Sequence, residues 1–214
     1  MEPIRFATED GVSLEGELRA ADGELRGTAV LCHPHPRHGG SKDHPLLWAI
    51  RNDLAGRGFC VLSFNFRGVL GSGGTYGAGR TEVKDVAAAI ERARQETNGP
   101  TLVVGWSFGA NVALREAIED LGVAALALVG APLGDHGLEL PDLPGLSELR
   151  AFRRPVLLLS GQGDQYSTRP DLESLQRKLP AAELEIVPGT DHFFWRREAE
   201  AAALIGAFAE RLLG

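Results

Sequence analysis

Residues 101–109 read TLVVGWSFG, an apolar run that ends in G-x-S-x-G and leads into a helical pattern. Gly105 and Gly109 have no Cβ, which relieves the crowding of a sharp strand-to-helix turn against its neighbours. Such a turn lifts the hydroxyl of Ser107 above the sheet. It also leaves the N–H of Phe108 at a helix N-terminus, where it can stabilise an oxyanion. We predict a nucleophile at Ser107 and an oxyanion N–H at Phe108; the alternative is a turn that contains a serine by chance.

Further apolar or alternating runs predict strands around this one. They are Ile4–Ala7, Val12–Arg19, Thr28–His33, Phe59–Phe64, Ala124–Gly130, Pro155–Ser160 and Glu183–Val187. The pair Asp10-Gly11 joins the first two as a hairpin turn, and helical patterns separate most of the later runs. Thr81 is expected to cap the helix that follows it. The order predicts an α/β protein with a mostly parallel eight-stranded sheet, an antiparallel start and helices on both faces, whose ligands bind beyond the carboxyl ends of the strands.

The composition is that of an ordinary globular protein and excludes several classes of function. The chain has 214 residues, of which 43% are hydrophobic and 24% charged, so we expect residues 1–214 to form a single domain. The net charge of −7 argues against a nucleic-acid partner. No apolar stretch is long enough to span a membrane, and the start does not resemble a signal peptide. We expect a cytoplasmic protein that binds neither nucleic acid nor membrane; its oligomeric state is not indicated.

A base is required, because a serine hydroxyl alone is a weak nucleophile. In folds with this turn the order along the chain is serine, acid, histidine, and only His136 and His192 follow Ser107. His192 comes after the last predicted strand, in the stretch PGTDHF at 188–193. His136 comes too early to leave a later strand for the acid. We predict that His192 is the base; the alternative is a histidine of a surface loop.

The acid that orients the base is expected at the end of another strand. Asp164 closes the stretch SGQGD at 160–164, where glycines permit a tight turn toward the site. Asp191 is a rival, but neighbours in sequence seldom face each other, and it adjoins His192. Asp135, after the preceding strand, is a second rival. We predict that Asp164 is the acid.

The stretch CHPHPRHGGS at 32–41 follows the third predicted strand, where hydrolases of this kind place the second oxyanion donor. Pro34 and Pro36 have no N–H, so the backbone N–H of His35 is the predicted donor. The cluster formed by His33, His35, His38 and His44 also suggests a metal, but the usual zinc spacings are absent, and we predict none. Any further role of this cluster stays open.

The two cysteines are predicted to be buried thiols. Cys32 falls late in one predicted strand and Cys60 early in the next. If these strands are parallel, the thiols lie at opposite ends, too far apart for a disulfide.

The ordered set of motifs resembles the small, lid-less α/β-hydrolases related to dienelactone hydrolases, above all a bacterial subgroup of predicted esterases with an HPHP segment. The motifs are HPHPRHGGS (33–41), FNFRGVLGSGG (64–74), GWSFG (105–109), GQGD (161–164) and GTDHFF (189–194). The resemblance covers nearly the full chain. It implies an α/β-hydrolase fold, a triad of Ser107, Asp164 and His192, and oxyanion N–H groups of His35 and Phe108. Dienelactone hydrolases proper have a cysteine nucleophile, so the serine here argues against dienelactone as the substrate.

The expected activity is hydrolysis of small carboxylic esters through an acyl-enzyme, without a cofactor. The interval 131–154, where large lids usually enter, is short; its leucines at 138, 140, 143 and 146 form either a small flap or a connecting helix. Arg67 either pairs with an internal carboxylate or binds substrate. Thioester, lactone or amide hydrolysis and a binding function without turnover are the alternatives. The residues proposed to line an apolar pocket are Leu70, Tyr76, Leu133, Phe193 and Trp195.

Overall fold

The computed structural model describes residues 1–134 and 136–212, which form one sheet with the strand order β1-β2-β4-β3-β5-β6-β7-β8. The strands are β1 (Glu2–Ala7), β2 (Ser13–Arg19), β3 (Gly27–Cys32), β4 (Phe59–Phe64), β5 (Thr101–Trp106), β6 (Val123–Val129), β7 (Val156–Gly161) and β8 (Ala182–Val187). β2 pairs antiparallel with β1 and with β4, and the other neighbours are parallel. The predicted eight-stranded, mostly parallel sheet with an antiparallel start is confirmed.

Helices cover both faces of this sheet. They are α1 (Pro45–Gly56), α2 (Glu82–Arg94), α3 (Phe108–Glu119), α4 (Leu146–Ala151), α5 (Arg169–Gln176) and α6 (Glu198–Glu210), with a short 3-10 turn at Pro36–His38. The apolar side chains of α1 and α6 pack into the core on one face, and those of α2, α3 and α5 pack into the core on the other.

The central strands are apolar along their whole length because both faces are covered. In β3, Val30 and Cys32 face the core under α2 and α3, whereas Ala29 and Leu31 face the core under α1 and α6. All six residues of β3 are buried. A strand buried on both sides cannot show alternation of polar and apolar residues, which is why these runs predict a parallel sheet.

The start of α2 differs from the prediction. Thr81 has helical backbone angles (φ −92°, ψ −22°), and its side chain makes no capping hydrogen bond. The buried carboxylate of Glu82 instead accepts the N–H groups of Gly77 and Gly79, at 2.7 and 2.8 Å. The predicted Thr81 cap is therefore wrong, because the next residue binds the preceding loop.

Cys32 and Cys60 are buried, unpaired thiols, as predicted. In the parallel pair β3 and β4, Cys60 lies opposite Thr28. Cys32 is therefore four residues further along, about 13 Å away at the rise of a parallel strand. That separation is far beyond the reach of a disulfide.

Within residues 1–134 and 136–212, no helix combines the length and apolar character that crossing a bilayer requires.

Candidate active site

Ser107 occupies a strained turn between β5 and α3. Its backbone has φ 56° and ψ −122°, and its N–H donates to the carbonyl of Val129 on β6 at 2.8 Å. A Cβ on Gly105 would come within 2.4 Å of the carbonyl oxygen of Gly109, and a Cβ on Gly109 within 2.4 Å of that of Cys32. Both glycines are thus required by close backbone approach, which keeps Ser107 at the rim of the sheet.

The side chains of Ser107, His192 and Asp164 lie in a hydrogen-bonded row. The Nε2 atom of His192 is 3.0 Å from the hydroxyl oxygen of Ser107, and its Nδ1 atom is 2.8 Å from Oδ2 of Asp164. All three residues are buried, and they follow three different parallel strands, β5, β7 and β8. The structure thus brings together the three side chains that the motifs indicate. Imidazole between hydroxyl and carboxylate is the arrangement that activates a nucleophile.

The carboxylate of Asp164 is oriented by the turn that carries it. Its Oδ1 atom accepts the backbone N–H groups of Tyr166 and Ser167, at 2.9 and 3.1 Å. Its Oδ2 atom accepts the hydroxyl of Ser160 at 3.1 Å and faces His192. One oxygen is therefore occupied by backbone donors, and the other is presented to the imidazole.

Several contacts hold the His192 ring in place. The indole N–H of Trp106 donates to the carbonyl of His192 at 3.2 Å, and the Tyr166 ring lies 4.9 Å from the imidazole in an edge-on contact. Behind the row, Gly130 has φ 51°, and the absence of a Cβ at this position leaves room for His192 and Asp164. The imidazole is therefore packed closely on several sides, which restricts its orientation.

We expect the substitution Gly130→Ala to lower kcat for a short ester by roughly tenfold, because the imidazole and the carboxylate must shift by a few tenths of an ångström and a shift of about 1 Å can cost about 100-fold. The new Cβ would lie 3.0 Å from Nδ1 of His192 and 3.1 Å from Oδ2 of Asp164, so it would push the ring and the carboxylate apart. The left-handed backbone adds roughly 1–2 kcal/mol of strain. Steady-state kinetics and urea unfolding separate the two effects.

The matched control is Gly163→Ala, where an added Cβ would meet the Thr190 carbonyl oxygen at an ordinary 3.4 Å. This variant should keep its rate within about threefold. If folded Gly130→Ala kept the wild-type kcat, a Cβ at position 130 would not displace the imidazole, and the prediction would be wrong.

The rival residues have other positions. Asp191 is exposed, and its carboxylate accepts the N–H of Phe193 at 2.9 Å, so it shapes the turn. His136 bonds through Nε2 to the carbonyl of Leu133 at 3.3 Å. Asp135 lies outside the described residues. Of the described rivals, neither joins the row at Ser107.

The loop that carries His35 packs against the first turn of α3. Gly109 approaches the carbonyl oxygens of Cys32 and His33, and the rings of His35 and Phe108 are 5.2 Å apart. The carbonyl of His35 accepts the N–H groups at positions 38 and 40, at 3.0 and 3.1 Å. The two predicted oxyanion residues are therefore neighbours beside Ser107.

The histidine cluster makes structural contacts. His33 bonds through Nδ1 to the Pro34 carbonyl at 2.7 Å and accepts the Phe66 N–H at Nε2 at 3.0 Å, and burial lowers its pKa to about 4. His44 accepts the N–H of Leu46 at the start of α1. Within the described part of the chain, no group of three or more histidine, cysteine or acidic side chains is arranged to hold a metal ion.

Four of the five predicted pocket residues lie around this site. The ring of Phe193 lies 5.5 Å from that of His192, and the ring of Trp195 lies 6.4 Å from that of Phe193; both residues are exposed. The Tyr76 ring lies 5.8 Å from that of Phe108. The N–H of Leu133 donates to the carbonyl of Tyr166, whose ring contacts His192.

Leu70 is the exception. Its side chain is 73% exposed, and its turn is bonded to β2 through the N–H of Gly73 and the carbonyl of Ser13. β2 is three strand positions from β5, which is about 14 Å along the sheet. The structure therefore does not bring Leu70 to the other four.

The described residues of the interval, 131–134 and 136–154, form a connection packed on the body of the domain. Leu140 and Leu143 pack against the core under α2 and α3, and Leu149 of the short helix α4 is buried. Leu146 is exposed. The connecting alternative thus describes this segment better than a flap, and none of its described residues forms a large lid over the edge of the sheet beside Ser107.

Arg67 makes internal ion pairs. Its Nε atom is 2.8 Å from Oδ1 of Asp85, and its two terminal nitrogens are 2.9 and 3.1 Å from the carboxylate of Asp10. Asp85 is fully buried, and burial raises its pKa to about 6 although the guanidinium opposes the shift. Of the two roles considered for Arg67, pairing with an internal carboxylate is the one seen.

A family model described as an alpha/beta hydrolase domain matches residues 27–210. The chain belongs to the alpha/beta hydrolase family, so the family and fold indicated by the motifs are confirmed.

Solved structures and a curated protein are similar to this chain over almost its whole length. An alpha-beta serine hydrolase homologue from Coxiella burnetii has a TM-score of 0.84 and is 26% identical, over 97% of this chain and 96% of that one. XC6422 from Xanthomonas campestris, described as a serine hydrolase without a lid, has a TM-score of 0.81 and is 24% identical, over 98% of this chain and 93% of that one. The uncharacterized protein RP471 from Rickettsia prowazekii is 27% identical, over 97% of this chain and 88% of its own length.

Proposed function

We propose that this protein hydrolyses small carboxylic esters through an acyl-enzyme formed on Ser107. The observation that carries the proposal is the 3.0 Å contact between Nε2 of His192 and the Ser107 hydroxyl, with Asp164 bonded to the other ring nitrogen. A hydroxyl in this contact can lose its proton to the imidazole as it attacks a carbonyl carbon.

The triad, two backbone N–H groups and a water molecule account for every bond and proton in the reaction. The Ser107 oxygen bonds to the ester carbon while His192 takes the hydroxyl proton, and the backbone N–H groups of His35 and Phe108 stabilise the oxyanion. The tetrahedral intermediate collapses, and the alcohol leaves with the proton held by His192. Water then attacks the acyl group, giving one proton to His192, which returns it to Ser107 as the carboxylic acid departs.

The chemistry of the rim favours small esters with an apolar group. The exposed ring of Phe193 contacts His192, and the exposed ring of Trp195 lies beside Phe193. The half-buried Leu133 and Tyr76 offer further apolar surface. The packed connection at 131–154 provides no broad cover for a long lipid chain. We therefore propose that Tyr76, Leu133, Phe193 and Trp195 contact the substrate.

A fluorophosphonate should phosphonylate this protein once, at Ser107, and end its hydrolysis of a short activated ester. Mass spectrometry of the digested protein locates the adduct. The controls are Ser107→Ala, which should neither take the label nor turn over, and His192→Ala, which should react far more slowly because the base is absent.

A panel of matched ester, thioester, lactone and amide substrates decides which bond is preferred. Fastest turnover of a thioester, lactone or amide would replace the ester assignment while keeping the nucleophile. An adduct at another residue, or full activity in Ser107→Ala, would reject the proposed mechanism. A protein with no label and no turnover would be a binding protein on this fold.

A further inference from the structure

The hydroxyl of Tyr76 joins two loops that are far apart in the sequence. It donates to the backbone carbonyl of Glu139 at 2.6 Å and lies 3.1 Å from Nε2 of His35. We call these three groups the Tyr76 link. None of them belongs to the row formed by Ser107, His192 and Asp164, so the link needs an explanation of its own.

The donor and the acceptor in each hydrogen bond of the Tyr76 link can be assigned. Nδ1 of His35 accepts the backbone N–H of Arg37 at 3.2 Å, so the proton of a neutral ring sits on Nε2. Burial lowers the pKa of His35, which favours that neutral ring. Nε2–H then faces two acceptors, the oxygen of Tyr76 at 3.1 Å and the Glu139 carbonyl at 3.3 Å, and the hydroxyl proton of Tyr76 is directed to that same carbonyl. The ring of His35 is therefore held at both nitrogens.

Tyr76 is itself held firmly. The fully buried carboxylate of Glu82, at the start of α2, accepts the N–H groups of Gly77 and Gly79 and so fixes the loop directly after Tyr76. The Tyr76 ring contacts the rings of His35 and Phe108, at 5.4 and 5.8 Å. Burial raises the pKa of Tyr76 to about 12, so the hydroxyl keeps the proton that it donates.

We propose that Tyr76 and the side chain of His35 are positioning residues, which hold the backbone N–H of His35 at the place where an oxyanion develops. This inference rests on the proposed function, since it concerns the second oxyanion donor of that reaction. The peptide between Pro34 and His35 is held on both sides: its carbonyl, that of Pro34, accepts Nδ1–H of His33 at 2.7 Å, and the His35 ring is fixed at both nitrogens. An oxyanion donor is effective only when it is preorganised in this way.

The test uses variants that leave every backbone N–H present. Tyr76→Phe removes the hydroxyl but keeps the ring, and His35→Asn retains an acceptor for the Arg37 N–H but cannot reach Tyr76. Complete loss of an oxyanion donor costs about 10²–10³-fold in kcat, so loosening one should cost about tenfold, with KM within about twofold. Both variants should show this same pattern.

The decisive readout is a matched pair of substrates, a p-nitrophenyl ester and its thionoester. Sulfur accepts hydrogen bonds poorly, so thionoester hydrolysis depends much less on oxyanion donors. The ester rate should fall about tenfold in Tyr76→Phe while the thionoester rate stays within about twofold, which lowers the ratio of the two rates. A merely structural role would lower both rates together and leave the ratio unchanged.

The control is Arg115→Gln, which removes a side-chain hydrogen bond to another backbone carbonyl of the same connection, that of Asp142 at 2.8 Å. It should leave the ratio at the wild-type value. A wild-type ester rate in Tyr76→Phe, or an equal fall for both substrates, would overturn the positioning role while the proposed function stands. A wild-type protein that hydrolyses no ester would overturn the proposed function, and the link would fall with it.

Discussion

Replacing Asp164 by asparagine is expected to lower kcat for ester hydrolysis by about 10⁴-fold with the fold intact. The N–H groups of Tyr166 and Ser167 both point at Oδ1, so the amide oxygen of the new side chain must take that place. Its NH₂ group then faces Nδ1 of His192 and donates to it. The ring proton moves to Nε2, directed at Ser107, and an imidazole in that tautomer cannot accept the hydroxyl proton.

The measurement is kcat for a short activated ester, with circular dichroism and urea unfolding to establish that the variant folds. Asp191→Asn is the matched control, because it changes the adjacent rival carboxylate and retains the oxygen that accepts the N–H of Phe193. Its rate should stay within about twofold. A fall of less than about tenfold in Asp164→Asn would show that this carboxylate does not set the tautomer of the base.

The substitution Arg67→Met should lower the free energy of unfolding by about 3–5 kcal/mol, the cost of leaving one partner of a buried ion pair alone. Asp85 has no exposed side-chain surface, and burial already raises its pKa to about 6 against the opposing guanidinium. Without Arg67 that pKa rises further. The folded variant then binds a proton that the unfolded chain has lost, so its stability declines as pH rises above about 4 and through neutrality.

Urea unfolding at about pH 5.5 and about pH 8 checks both statements, since the deficit of Arg67→Met should be the larger at the higher pH. Arg169→Met removes an exposed arginine paired with Glu173, and it should change stability by no more than about 0.5 kcal/mol. A deficit below about 1 kcal/mol, or one that does not grow with pH, would mean that Asp85 is solvated after the substitution.

The strands of the sheet, and the edge at which the site lies, were predictable because each strand is indicated by a short local stretch of sequence. A strand buried on both faces must be apolar throughout, so β4 was predicted at its observed bounds and β7 within one residue. Parallel strands end at a common edge, and therefore Ser107, Asp164 and His192, each following a strand, were expected together. The sequence could not indicate their distances, which depend on how the turns after β7 and β8 close.

The Tyr76 link could not be predicted, because its partners are separated by up to 104 positions and meet through irregular loops. The loop after Tyr76 includes Ala78 with φ 56° and Gly79 with φ 79°, conformations that no periodic pattern signals. The predicted Thr81 cap was wrong for a related reason, since Glu82 satisfies the loop and Thr81 is already helical. The sequence also gives no sign that the turn carrying Leu70 is bonded to β2, on the antiparallel side of the sheet.

The position of β8 at the edge of the sheet determines which part of the molecule is expected to unfold first on heating. β8 is the last strand of the sheet, Val187 is its only buried residue, and the base is attached to the loop beyond it. Edges with little buried surface fray at lower free energy than the centre of a sheet. Detachment of β8 would move the imidazole away while the nucleophile stayed fixed in the centre of the sheet. On heating, catalytic activity should therefore be lost before the domain unfolds as a whole.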